Sequence, residues 1–157
     1  MPETAPTAAG SIQIAATPEA VYALITDLPV LTELAEETAV MRWRAGDKAA
    51  PGAVFNGTNR NGWRRWTTTC TVTDAEPGRR FAFLVSHTGV PISRWQYDIT
   101  SADGGCTVTE STWDRRPGWY KKPAGFVTGT PDRVNLNTRH IHTTLQRLKA
   151  RAEAPLS

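Results

Sequence analysis

A chain of 157 residues, 39% hydrophobic and 21% charged, is one domain's worth of folding polymer, long enough to bury roughly two-thirds of its unfolded surface in a single core. The composition excludes a disordered chain, and a net charge of +3, with 18 Lys and Arg spread along the sequence, argues against a dedicated nucleic-acid binder. No apolar run approaches the length of a membrane span. Residues 1–9 lack the regions of a secretion signal and read as a flexible tail. Two cysteines, Cys70 and Cys106, are too few for a disulfide scaffold or a zinc cluster and read as buried small hydrophobes in a cytoplasmic protein.

The first element is a short strand, "SIQIAA". Thr17-Pro18-Glu19 then suits a helix start: a capping hydroxyl, a proline at the first helical position and an acid on the dipole. Val21, Leu24, Ile25 and Leu28 follow at helical spacing. Pro29 interrupts this helix, and "VLTELAEE" supplies a second short one. From about Thr38 to Arg115 the sequence predicts consecutive strands. Turn signals at Gly46, Asn61-Gly62, Pro77-Gly78, Gly89 and Asp103-Gly104 divide them. Such connections are too short for crossover helices, so the sheet is predicted to be an antiparallel meander. Thr130-Pro131-Asp132 repeats the cap signature. Val134, Thr138, Ile141, Leu145 and Leu148 then form one stripe of a helix about 30 Å long, enough to cross the whole sheet. Residues 153–157 read as a second tail.

The turns predict which side chains meet. Phe55 is expected opposite Thr68, and Gly57 opposite Trp66. Val72 is expected opposite Phe81, Cys70 opposite Phe83, and Trp66 opposite His87. The Asp103-Gly104 turn pairs Ile99 with Val108, Tyr97 with Glu110 and Trp95 with Thr112. These positions define an inner face for the long helix to cover. Arg94, Gln96, Asp98 and Ser111 fall on an outer face expected to be wet, and Ile92 and Leu84 there leave room for a weak dimer. The same register holds Cys70 and Cys106 about 14 Å apart, too far for a disulfide.

The strand "CTVTEST" (106–112) then poses the chemical question, because it puts Glu110 on the apolar side. A charge there is costly unless it is paired, hydrated or used. A solid core would not accept it; a cavity holding water or a polar ligand would. Glu110 could hydrogen-bond a ligand, move protons from a raised pKa, or simply organise the interior with Tyr97. His87 is a second candidate for proton transfer, or a rim residue. Phe55, Trp66, Phe83 and Trp95 form an aromatic wall suited to flat apolar ligands, with Asn59, Thr68, Val85 and Thr112 beside them and Thr138 and Ile141 facing them from the helix. The stretch "WDRRPGWYKKPAGFVTGTP" is either a plain connection or a lid that folds Trp119 and Phe126 over an opening. His140 and His142, two apart on a helix, do not make a metal pair. "NRNGWRRW" mixes Arg with Trp, but no second basic element supports nucleic-acid binding.

The order of elements, with the segments "SIQIAATPEAVYALITDL", "NRNGWRRWTTTCTV", "EPGRRFAF", "RWQYDIT" and "GGCTVTES", resembles the helix-grip fold of the SRPBCC superfamily. That superfamily takes in birch-pollen-allergen-like, START and polyketide cyclase/dehydrase proteins, and the likeness is to its small actinobacterial members. It covers about residues 10–152, a single domain. It implies an α+β fold: a seven-stranded antiparallel sheet curled around the C-terminal helix, two short helices between strands 1 and 2, and an internal cavity. The fold hosts carriers, receptors, cyclases and hydrolases, so it does not fix an activity. The expected function is binding of a small hydrophobic or aromatic molecule, such as a lipid or polyketide. The alternative is a cofactor-independent cyclase or dehydratase in which Glu110, with Tyr97 or His87, transfers protons. Neither needs a cofactor or metal, nucleic acid or membrane insertion, and the chain is expected to be a monomer or weak homodimer.

Overall fold

The computed structural model describes residues 4–35, 38–119 and 133–154. The elements are β1 (Ala8–Ile14), α1 (Pro18–Ile25), α2 (Leu28–Leu34), β2 (Thr38–Ala45), β3 (Val54–Asn61), β4 (Arg64–Glu76), β5 (Arg80–His87), β6 (Val90–Ala102), β7 (Gly105–Asp114) and α3 (Arg133–Ala152). The strands form one antiparallel sheet in the order β1-β7-β6-β5-β4-β3-β2, a meander with β1 closing its far edge. This is the helix-grip architecture expected from the sequence.

Strand β1 begins at Ala8, earlier than expected. The Thr7 amide donates to the Thr112 carbonyl at 2.8 Å, the Asp114 amide donates to Thr7 Oγ1 at 2.8 Å, and Trp113 Nε1 donates to the Thr4 carbonyl at 2.7 Å. Much of the stretch read as a tail is therefore tied to β7. Thr17 caps α1 with Pro18 at its start, as the sequence predicts. Pro29 belongs to the first turn of α2, where Asp27 Oδ1 accepts from the Val30 amide at 3.2 Å. It opens that helix, since a first-turn proline forfeits no helical hydrogen bond.

The β6–β7 register is the expected one: Ile99 faces Val108, Tyr97 faces Glu110 and Trp95 faces Thr112. Two hairpins differ. Phe55 pairs with Cys70, Gly57 with Thr68 and Asn59 with Trp66. The turn residues are Gly62-Trp63 rather than Asn61-Gly62, and Gly62 alone has a positive φ, 63°, at the first central position, as a type II′ turn requires. In β4–β5, Val72 pairs with Phe83 and Cys70 with Val85, with a bulge between Val72 and Asp74. Each slip is two residues, so every side chain keeps its face while its partner changes.

A second bulge corrects the outer face. Ser86 pairs with Pro91 and Val85 with Ser93, leaving Ile92 as the extra residue. The bulge re-aims its side chain to the inner face, where it lines the cavity described below instead of offering a dimer contact. The outer face is also not uniformly wet. Gln96 and Ser111 are 2% and 7% exposed. Gln96 is roofed by a network in which Arg94 donates to Gln96 Oε1 and Thr73 Oγ1, both at 2.9 Å, Gln96 Nε2 donates to Asp98 at 2.7 Å, and Arg80 pairs with Asp98 at 2.7 Å. Long arginine stems cover apolar sheet while their heads stay hydrated. Cys70 and Cys106 are free and buried.

Helix α3 packs against β1 and β7, burying Ile141, Leu145 and Leu148. Gly10 sets the approach: a Cβ there would lie 3.0 Å from Ile141 Cγ2 and 3.6 Å from Leu145 Cδ1. Gly10→Ala is therefore expected to lower stability by about 1–2 kcal/mol through overpacking, read as a fall in urea midpoint at unchanged slope. Among the described residues no helix is long and apolar enough to cross a membrane.

Candidate functional site

Between the sheet's inner face, α2 and α3 lies a cavity of about 190 Å³. Its aromatic wall is built by strand alternation. Phe55, Trp66, Phe83 and Trp95 come from β3, β4, β5 and β6, and every second residue of each strand points inward. Phe55 is fixed edge-on between Trp43 and Phe83, with ring centroids 5.5 and 5.2 Å away.

Glu110 and Tyr97 face one another across β6 and β7 and both line the cavity. Glu110 is 2% exposed. Burial pushes its carboxyl up to about 8, opposed by the Tyr97 hydroxyl, which lies in hydrogen-bonding reach. Burial, with the neighbouring carboxyl, likewise raises the Tyr97 phenol well above its usual range. At neutral pH the pair is therefore a neutral acid beside a neutral phenol. Glu110 Oε1 has no hydrogen-bond partner among the described residues, and neither does Asn137 Oδ1 on the facing helix. Two buried polar atoms without partners on the walls of one cavity are costly unless something fills the space between.

Several of the remaining polar groups bond one another. Thr38 Oγ1 donates to Asn59 Oδ1 at 2.9 Å and Asn59 Nδ2 donates to Thr68 Oγ1 at 3.1 Å, which orients the amide and uses up the Thr68 hydroxyl. Asp114 and Arg116, largely buried, form a two-pronged ion pair at 3.0 and 2.9 Å. Both line the cavity, as does Ser93, which accepts from Trp95 Nε1 at 3.1 Å and so holds that ring in place.

Of the residues expected to meet a ligand, Phe55, Asn59, Trp66, Thr68, Phe83, Val85 and Trp95 line the cavity, together with Glu110, Tyr97 and His87. Four do not. Thr112 is buried opposite Ala8, its hydroxyl spent on the Arg94 carbonyl at 3.0 Å. Trp119 is 70% exposed. Thr138 is exposed, and Ile141 belongs to the core against Gly10. Phe126 lies outside the described residues. On α3 the lining comes instead from Asn137, His140 and Thr144, at i, i+3 and i+7, a stripe beside the apolar one. Apolar periodicity marks which face is dry and is blind to a polar flank. Asp114 and Arg116 escaped for a related reason: an Asp-Arg-Arg run at a strand end reads as a solvated turn, and only burial reveals the pair.

The fold agrees with that of known proteins. Residues 5–153 match the family described as polyketide cyclase / dehydrase and lipid transport. No curated protein matches the chain by sequence. Among solved structures, the polyketide-cyclase-like protein Cgl2372 from Corynebacterium glutamicum is 26% identical, with a TM-score of 0.58 over 95% of this chain and 91% of that one. The di-domain ARO/CYC protein StfQ from the steffimycin biosynthetic pathway is 13% identical, with a TM-score of 0.71 over 92% of this chain and 50% of its own. Ara h 8.0201 is 12% identical, with a TM-score of 0.69 over 94% and 96%. With the match running through every strand and helix described above, this chain is a member of the polyketide cyclase / dehydrase and lipid transport family.

Proposed function

We propose that the protein binds a small, largely apolar aromatic molecule in this cavity, with a ligand oxygen hydrogen-bonded by the neutral Glu110 carboxyl beside Tyr97. The observation that carries the reading is Glu110 Oε1, buried in the wall of a cavity and lacking a partner among the described residues. Volume bounds the ligand. About 190 Å³ is a little more than the ~150 Å³ that admits benzene in an engineered apolar cavity and less than the ~300 Å³ where drug-sized pockets begin. One or two rings fit this space. A protonated carboxyl donates, so a ketone or quinone oxygen suits it and a ligand carboxylate, which would have to be desolvated, does not. The protein so equipped acts as a carrier or sensor of that molecule.

Titration calorimetry with one-, two- and three-ring aromatic ketones tests this. One- and two-ring compounds are expected to bind, with affinity falling as pH rises through about 8, where Glu110 ionises. If none binds, or if binding is indifferent to pH across that range, the reading fails.

The second reading, cyclase or dehydratase chemistry, is favoured by one observation: a carboxyl titrating near neutrality suits general acid–base work. Glu110→Gln retains shape and hydrogen bonding but cannot titrate. On a true substrate it is expected to lower kcat by about 10²–10⁴-fold if Glu110 transfers the proton, and unchanged turnover excludes that role.

A further inference from the structure

The tip of the β3–β4 hairpin carries a feature the cavity does not explain. Between Asp47 and Asp74 the sequence has no acid and four cations, Lys48, Arg60, Arg64 and Arg65, more positive charge than the whole chain's net +3. Three of the four flank one turn. Arg60 and Arg65 are directly cross-strand neighbours and both are exposed. Like charges directly opposite destabilise a sheet, and neither has an ion-pair partner among the described residues. Between them the chain turns through Trp63, 82% exposed, whose ring lies 4.4 Å from the Arg64 guanidinium. A fully presented indole ringed by arginines has the composition of a membrane-interface anchor: the ring sits at headgroup level while the guanidiniums meet lipid phosphates.

We propose that this hairpin tip docks the protein peripherally on an anionic membrane surface. Arg60 and Arg65 supply the attraction and Trp63 the interfacial contact. Two observations favour lipid over nucleic acid as the occupant. The cations sit on a protruding turn and not along a groove that could track a phosphate backbone. The hairpin also carries Asn59 and Trp66 in the cavity wall, so docking brings the apolar interior close to an apolar phase. The surface stands on its own observations and not on the identity of the cavity's ligand.

Vesicle co-sedimentation tests it, using phosphatidylcholine alone and phosphatidylcholine mixed with phosphatidylglycerol. Each arginine near such a surface contributes about fivefold to partitioning. The wild type is expected to bind the anionic vesicles only and to be released as salt shortens the Debye length. The R60E/R65E variant is expected to lose at least about 25-fold in partitioning, while Trp63→Ala weakens binding without abolishing its salt dependence. Thermal melts and ketone titrations of both variants check that the fold and cavity are intact, since none of Arg60, Trp63 and Arg65 lines the cavity. Equal binding to neutral and anionic vesicles, an R60E/R65E variant that partitions like the wild type, or binding to a single-stranded oligonucleotide but not to vesicles, each overturns the proposal.

Discussion

Glu110→Gln will be more stable than the wild type at pH 9 and no more stable at pH 4. The buried carboxyl titrates at about 8 in the folded protein against 4.5 as its ordinary value. Below 4.5 it is protonated in both folded and unfolded chains and contributes no pH dependence. Between 4.5 and 8 the unfolded chain releases the proton and the folded one keeps it, so stability falls by about 1.4 kcal/mol per pH unit. Above 8 both are ionised and the whole penalty, roughly 5 kcal/mol, is present. A folded value above the unfolded one thus gives stability that is fully present at low pH and lost as pH rises. Glutamine removes the titration, at a cost of about 1–3 kcal/mol for burying an incompletely bonded amide. The net gain at pH 9 is then about 2–4 kcal/mol, or very roughly 10 °C in Tm for a chain of this size. Urea unfolding of both proteins at pH 4, 7 and 9 checks it. Parallel stability–pH curves would mean that Glu110 does not titrate in a buried site at all.

A penalty of that size, carried through the physiological range, is a reason to look for its use. Local rules are broken at functional sites more than elsewhere. A ligand oxygen accepting from the carboxyl stabilises its neutral form, so ligand and protonation support each other. Tyr97 alone would not produce this coupling, because its phenol is neutral at any physiological pH.

How far this site could be read from the sequence depended on which physical signal each part rests on. The Tyr97–Glu110 pairing was legible because the Asp103-Gly104 turn fixes a register that no bulge disturbs on the inner side. The aromatic wall survived two mistaken pairings because both slips were even. Parity of alternation decides the face, while only turn geometry and the bulge after Val72 decide the partner. Bulges leave no periodic trace, so strict alternation puts Ile92 on the outer face while the structure turns it inward. On the helix, the apolar stripe and the cavity lining lie side by side. Ile141 is apolar because it packs on β1, whereas the cavity-facing flank of α3 is Asn137, His140 and Thr144. Thr112 alternates correctly onto the inner face, but β1 extends far enough to bury it opposite Ala8.

Gly57→Leu is expected to abolish ligand binding while leaving the fold at least as stable. Glycine in a strand interior weakens it by roughly 0.5–1 kcal/mol relative to alanine and has no side chain to pack. Gly57 is buried in the middle of β3 and lines the cavity. Neither usual excuse for a glycine applies. Its φ is not in the left-handed region, and a Cβ there would meet Thr68 Oγ1 at 3.4 Å and Thr38 Cγ2 at 3.7 Å, ordinary contacts. The backbone accepts a Cβ, so close approach does not require the glycine, and what it preserves is open volume on the cavity wall. A leucine side chain growing from this point enters the cavity beside Phe55 and competes with any ring stacked there. Affinity for a two-ring ketone should fall by at least about 100-fold, close to 2.7 kcal/mol, while filling the void and restoring strand propensity raise stability by about 1 kcal/mol. A variant that gains in Tm and loses the ligand separates the cavity's function from its architecture. If Gly57→Leu binds the ketone as well as the wild type does, the ligand lies elsewhere and the glycine needs another explanation.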